Sequence, residues 1–483
     1  MRSCCKYAIL CFIAFLVIVA VLAFSAIDGE PVTVRFWHCY EGEQGVILQE
    51  LVDTYNATEG AEKGYRVVAQ YRGSLDQLSD RLEKSIWKNL DASELPNMIT
   101  VSEDAAYTAH RFGVTASAEM FLSDSVLEEY VDGFLDGGRF TSDGDTVIFP
   151  LTKTTELVFI NKTLWNEFIA ANPEITARGL KTWTDLAAMA SVFYTWTDGL
   201  TPQTPGDGLP LMAIESVESF LFTISEQLMP SLIQAGHKEI KLNLNQESLR
   251  QIWNFYYPCV VKGEISLSRQ SCCDQVEYGE VLCYIGSTSS ITQFPKRYMD
   301  RMHNQYQLTE LMVSQYPTYT TDRNVVPQTG NGVIVLSGTK KMDEASYDFL
   351  NWLCHNEDLL SFCMVDCSLP PLTELLIGAQ RDAMVRDYAD SADLTERNMA
   401  YAVSIAYDQV FYNRPYSPVG FPDSAAFKQE MEKTLISLAQ QGRYQYLTYI
   451  EEGLSPERAF QKVHTEEAFL EWYHAVAEIM ERY

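Results

Sequence analysis

The chain has 483 residues, about three times a typical domain length, so two bodies are expected rather than one core. Apolar residues make up 47% and charged residues 21%, which excludes a disordered chain. Lys plus Arg number 36 against 65 Asp plus Glu, a formal charge of −29, which argues against a nucleic-acid partner because phosphate binding draws on basic side chains.

Arg2 and Lys6 precede an uncharged apolar stretch, Tyr7–Ile27. About twenty residues rising about 1.5 Å each reach about 30 Å, the thickness of a hydrocarbon core. The positive flank is N-terminal, so residues 1–29 read as a leader that exports the body. It is either an uncleaved anchor, tethering the body to the outer face of the cytoplasmic membrane, or a signal peptide cut near Ala23-Phe24-Ser25. No second stretch is long and apolar enough to span, which excludes a multi-span permease.

Beyond the leader, Val32–Trp37 alternates like a half-buried strand, and Glu43–Asn56 carries Val46, Ile47, Leu51, Val52 and Tyr55 at helical spacing. Arg66–Tyr71 predicts a strand, Leu75–Leu90 a helix and Asn97–Val101 a third strand. This βαβ spacing favours a parallel sheet covered by helices. The pattern restarts after Pro150 with a strand at Glu156–Ile160, helices at Trp165–Ala171 and Trp183–Tyr194, and short strands at Ala213–Glu215 and Val281–Ile285. Gly330-Asn331-Gly332 reads as a turn before the strand Val333–Leu336. From about Asp343 the sequence is mostly helical, ending with Ala459–Met480. Two α/β lobes leave a cleft between them, where ligands of such sheets bind.

Chemical signatures are sparse. The sequence has no G-x-S-x-G, H-E-x-x-H, Walker or G-x-G-x-x-G motif. Glu41/Glu43 and Glu103/Asp104 are carboxylate pairs of the kind a glycosidase uses, but 65 acidic residues make adjacent pairs commonplace. Cys39, Cys259, Cys272, Cys273, Cys283, Cys354, Cys363 and Cys367 read as structural disulfides or buried thiols; no His stands among them at metal spacing. Trp37, Tyr40, Trp183, Trp196, Trp253, Tyr256 and Tyr257 offer either core filling or flat faces for stacking on a sugar.

Several segments, in order, resemble one family. Phe36–Gly45 (FWHCYEGEQG), Glu94–Ile99, Phe149–Thr152, Leu157–Lys162, Lys181–Leu186 (KTWTDL), Gly330–Gly338, Ser368-Leu369-Pro370 and Arg414-Pro415 are similar to the extracellular solute-binding proteins of ABC importers, most of all the glycerol-3-phosphate and sugar-binding subgroup. The resemblance covers roughly residues 32–475 and implies an α/β, two-lobed periplasmic-binding-protein fold, like that of the maltose-binding proteins, after one N-terminal apolar helix. The implied lobes are 30–150 with 330–375, and 151–329 with 376–483. Such a protein closes over a small polar solute (a sugar, polyol or phosphoester) and docks on ABC permease subunits. It works as a monomer, without cofactor, metal or catalysis. A binding module for a sensor or receptor and a secreted glycoside hydrolase are the alternatives.

Carried over residue by residue, the resemblance puts ligand contacts on Glu103, Thr154, Ser287 and Gly330. Lys153 and Arg414 are the implied anion partners, and Trp37 is the aromatic neighbour. Two of the family's aromatic contacts are absent, replaced by Leu75 and Ser368, and the charge of −29 disfavours a dianionic phosphate. In the helix start KTWTDL, Thr182 is placed to cap and Asp185 to favour the helix N-terminus.

Overall fold

The segment Thr154–Asn161 (TTELVFIN) forms a strand whose residues after the first are all buried, the pattern of a strand covered on both faces. It is central to one of two six-stranded sheets. The computed structural model describes residues 30–87, 95–142, 144–177, 179–204, 206–228, 231–236, 240–301, 303–319, 324–330 and 332–483. The leader, Glu94, Asn331 and the end of the helix expected to reach Leu90 lie outside them; that helix is described over Leu75–Trp87.

The first sheet runs in the order Tyr65–Tyr71, Val32–His38, Met98–Val101, Gly332–Leu336, Thr115–Ala116, with Ile148–Pro150 also on Gly332–Leu336. The second runs Arg414–Tyr416, Val325–Thr329, Thr154–Asn161, Cys283–Ser287, Met212–Ile214, with Leu311–Gln315 also on Thr154–Asn161. The parallel pairing expected from βαβ spacing holds among the first three strands. Gly332–Leu336 then pairs antiparallel, and so do all three strands flanking Thr154–Asn161. Both sheets are therefore mixed. Antiparallel neighbours need no long crossover, so they left no βαβ signature in the sequence.

Each sheet has an apolar core on both faces. In the second sheet, Val158 and Ile160 point into one core, while Leu157 and Phe159 point into the other. The tryptophan and tyrosine residues offered for sugar stacking mostly fill these cores: Trp183, Trp253 and Tyr256 are fully buried, and Trp253 stacks on Tyr257 with centroids 4.1 Å apart. Thr182 caps the Trp183–Leu200 helix, its hydroxyl accepting the Asp185 N–H at 3.1 Å. The single terminal helix expected over Ala459–Met480 is two, Pro456–Val463 and Glu466–Arg482. Thr465 starts the second by accepting the Ala468 N–H at 3.2 Å. The eight cysteines outside the leader are all thiols, and all but Cys39 are buried.

The chain passes between the sheets at residues 151–153 and again at Gly330. Leu369 lies against the first crossing, exchanging backbone hydrogen bonds with Lys153 at 3.0 and 2.6 Å. Gly330 has φ +119°, and a Cβ there would sit 3.0 Å from both Lys153 Cα and Thr152 O. Only glycine allows the two crossings to approach this closely. No helix among the described residues is long and apolar enough to cross a membrane.

Candidate functional site

At the edge where the sheets face each other, strand register assembles a cluster of carboxylates. Ser287 lies directly opposite Glu156, and Thr329 opposite Thr154. Met212–Ile214 runs parallel to Cys283–Ser287, which brings Glu215 alongside Ser287; the Ser287 N–H donates to Glu215 Oε2 at 2.7 Å. A Cβ at Gly286 would meet that same oxygen at 2.3 Å, so glycine is what admits Glu215 here. Glu218 stands in the first turn of the Val217–Leu228 helix, where a negative charge is favoured.

The opposite wall comes from the first sheet. Ser102 caps the Glu103–Arg111 helix, its Oγ accepting the Ala105 N–H, and Glu103 and Asp104 occupy the first turn. Glu103 reaches across to the segment that packs on the second sheet. Its Oε1 accepts from the Ser417 hydroxyl at 3.1 Å, and its Oε2 lies 3.5 Å from Lys428 Nζ. Asp104 accepts from the Ser424 hydroxyl and from the Ala425 N–H. Gly420 permits this approach, since a Cβ there would sit 3.0 Å from Glu103 Cβ.

Between these walls is a cavity of about 240 Å³ whose lining includes Glu103, Glu156, Glu215, Glu218, Ser287, Gly330 and Lys428. Burial, with a smaller push from Glu215, raises the Glu156 carboxyl to about 7 against a Ser219 hydrogen bond. Burial also raises Glu215, opposed by the Ser287 N–H, and Glu218, opposed by Lys428. A second cavity, of about 340 Å³, shares Gln328, Tyr416 and Ser417 with the first and is lined by Asp136, Arg139, Glu226 and Arg414.

Of the residues singled out from sequence, Glu103, Ser287 and Gly330 line the smaller cavity together. Thr154 stands beside them, its hydroxyl 2.8 Å from that of Thr329, which is in the lining. Lys153 is buried behind Gly330, with Nζ 3.5 Å from the Gly330 carbonyl; burial lowers its pKa, and Glu103 opposes that shift. Arg414 is elsewhere, in the larger cavity, with its guanidinium on Glu226. Trp37 is not in either lining; the Arg72 guanidinium packs over its ring at 5.3 Å. Ser289 and Ser290 use their hydroxyls within the turn, on Ser287. Sequence reasoning missed Glu156, Glu215, Glu218 and Lys428. A lone acid near the start of an otherwise apolar strand was the signal for Glu156. Among the described residues no His, Cys, Asp and Glu group is arranged to hold a metal ion.

Residues 50–387, well over half of the chain, match the family described as bacterial extracellular solute-binding protein. The chain belongs to this family. Membership makes it an exported binding protein, in a family of solute binders rather than enzymes. Over 173 residues it is 27% identical to the sn-glycerol-3-phosphate-binding periplasmic protein UgpB of Yersinia enterocolitica, a match spanning 34% of this chain and only 36% of that protein. Its two-lobed fold is that of solved solute-binding proteins. The cyclic α-maltosyl-1,6-maltose binding protein of Arthrobacter globiformis superposes with TM-score 0.62 at 17% identity, covering 94% of this chain and 100% of the other. UgpB of Mycobacterium tuberculosis, solved with glycerophosphocholine, gives 0.59 at 15% identity, covering 94% and 99%.

Proposed function

We propose that the chain is the extracytoplasmic solute-binding subunit of an ABC importer. It captures a small polar solute between two lobes, 30–150 with 330–375 and 151–329 with 376–483, and hands it as a monomer to a membrane permease. The observation that carries this reading is the 240 Å³ cavity, whose lining draws Glu103 from one sheet unit and Glu156, Glu215 and Ser287 from the other. A solute bound there touches both units only while they are together, so its contacts shift the population toward the closed form. The apolar leader supports export with the body tethered outside the membrane, and among the described residues no helix is long and apolar enough to cross one.

Thermal unfolding of the full chain against sugars, polyols, amines and phosphoesters tests the reading. A ligand at one hundred times its Kd adds about 2.7 kcal/mol of stability. The expected result is a shift with the ligand recovered unchanged, weakened by Glu103→Ala and by Ser287→Ala. Conversion of the ligand, or a shift that neither variant alters, overturns it.

A further inference from the structure

The charges of the smaller cavity do not balance. Among the described residues its lining holds the carboxylates of Glu103, Glu156, Glu215 and Glu218 against the one ammonium of Lys428. Lys428 Nζ lies 3.5 Å from Glu103 and 3.8 Å from Glu218, so its charge serves that pair. Among the described residues neither Glu156 nor Glu215 has a Lys or Arg in ion-pair reach. Lys153, the other nearby cation, is buried behind Gly330 and acts on Glu103.

Glu156 supplies a second, independent observation. It is only 6% exposed, and its Oε2 is buried without a hydrogen-bond partner. A buried carboxylate oxygen left unpaired is costly, and such atoms in native proteins have partners. Glu156 belongs to the cavity lining, so a molecule seated there lies beside this carboxyl and, with a turn of the side chain, meets the unpaired oxygen. The Gly286 backbone, which leaves room for no side chain, keeps the Glu215 carboxylate close by.

Resting on the solute-site reading above, we propose that the solute carries a protonated primary amine. Its ammonium sits between Glu156 and Glu215, and its polar remainder lies against Ser287 and Glu103. An ammonium has three donors and no acceptor, which suits a wall of carboxylates. A phosphate would face net negative charge, and a neutral sugar would leave Glu156 and Glu215 without a counter-charge. An amino sugar and a short aliphatic diamine both bear this group.

Calorimetric titration of the full chain with matched pairs decides the matter. One pair is glucosamine and glucose, the second is putrescine and 1,4-butanediol, and glycerol 3-phosphate is the anionic probe. At least one amine is expected to bind about tenfold or more tightly than its neutral match, and the winning pair tells amino sugar from diamine. Glu156→Gln, which keeps the shape, is expected to lower amine affinity about tenfold while the variant unfolds as cooperatively as the parent; Glu215→Gln should act in the same direction. If a neutral or anionic probe binds at least as well as the amines and Glu156→Gln changes nothing, the amine proposal falls while the solute site stands. If no probe binds at all, both fall together.

Discussion

The two cavities that meet at Gln328, Tyr416 and Ser417 differ in how their charges are settled. In the larger one each arginine is matched: Arg414 lies on Glu226, while Arg139 contacts Asp136 at 3.0 Å and Glu119 at 3.5 Å. In the smaller one Lys428 serves Glu103 and Glu218, and Glu156 and Glu215 are left over. The larger cavity is electrically settled by its own side chains, whereas the smaller one is settled only by a proton taken up at Glu156 or by a cationic guest. Uncompensated buried charge, more than volume, marks where a ligand belongs.

The most direct way to break this contrast is to titrate Glu156. Its carboxyl rises from 4.5 to about 7 because the folded state buries it, with Glu215 adding to the effect and Ser219 opposing it. Tyr316 also faces it, and Glu103, Glu218 and Lys428 complete the charged lining. A folded-state pKa above the unfolded value means that folding takes up a proton. The resulting stability is full below about 4.5 and is lost as pH rises through about 7, to a total of about 3 kcal/mol. Urea unfolding at pH 4.5 and pH 8 should show the parent losing about that much more than Glu156→Gln over the interval. Equal losses would mean that Glu156 is not the strained group. The Glu218 contribution remains in both proteins and cancels in the difference, while the repulsion between Glu156 and Glu215 disappears with Glu156 and is part of what the difference measures.

A smaller effect comes from the one cation of the lining. Lys428 is nearly buried and holds two carboxylates that are about one-third exposed. Lys428→Met keeps the apolar stem and leaves Glu103 and Glu218 facing each other across the cleft. A fully buried pair broken this way costs more, so partial exposure brings the expected loss at pH 7 to about 2 kcal/mol in urea unfolding. A loss no larger than that from a surface lysine would show that Glu103 does not depend on Lys428.

Much of the fold was legible because its first strands and long helices carry local period. Val32–His38 alternates, and the Trp183–Leu200 helix announces itself with Thr182 and Asp185. The strands Leu311–Gln315, Val325–Thr329 and Arg414–Tyr416 were not found; they are short, two contain proline, and their partners are distant in sequence. The site was half legible. Resemblance led to Glu103, Ser287 and Gly330, which the structure places in one lining. Glu215 and Glu218 were hidden among 65 acidic residues, because what distinguishes them is register and the lack of a cation, and neither is written in a local pattern. Arg414 looked like an anion contact for the converse reason: nothing in the sequence showed that Glu226 already holds it.

Arg414 provides the smallest expected effect and the sharpest test of the contrast. Its side chain is 48% exposed, and its partner Glu226 borders the larger cavity. Arg414→Met removes a half-solvated ion pair, and water in the cavity can take over the Glu226 carboxylate. The expected cost is about 1 kcal/mol or less, about half that of Lys428→Met. Solute affinity, measured by the same titrations, should stay within about twofold of the parent, since the guanidinium lies in the other cavity. A tenfold fall in affinity with stability unchanged would reverse the assignment: the larger cavity would then hold the solute, and the paired arginine would be the group that recognises it.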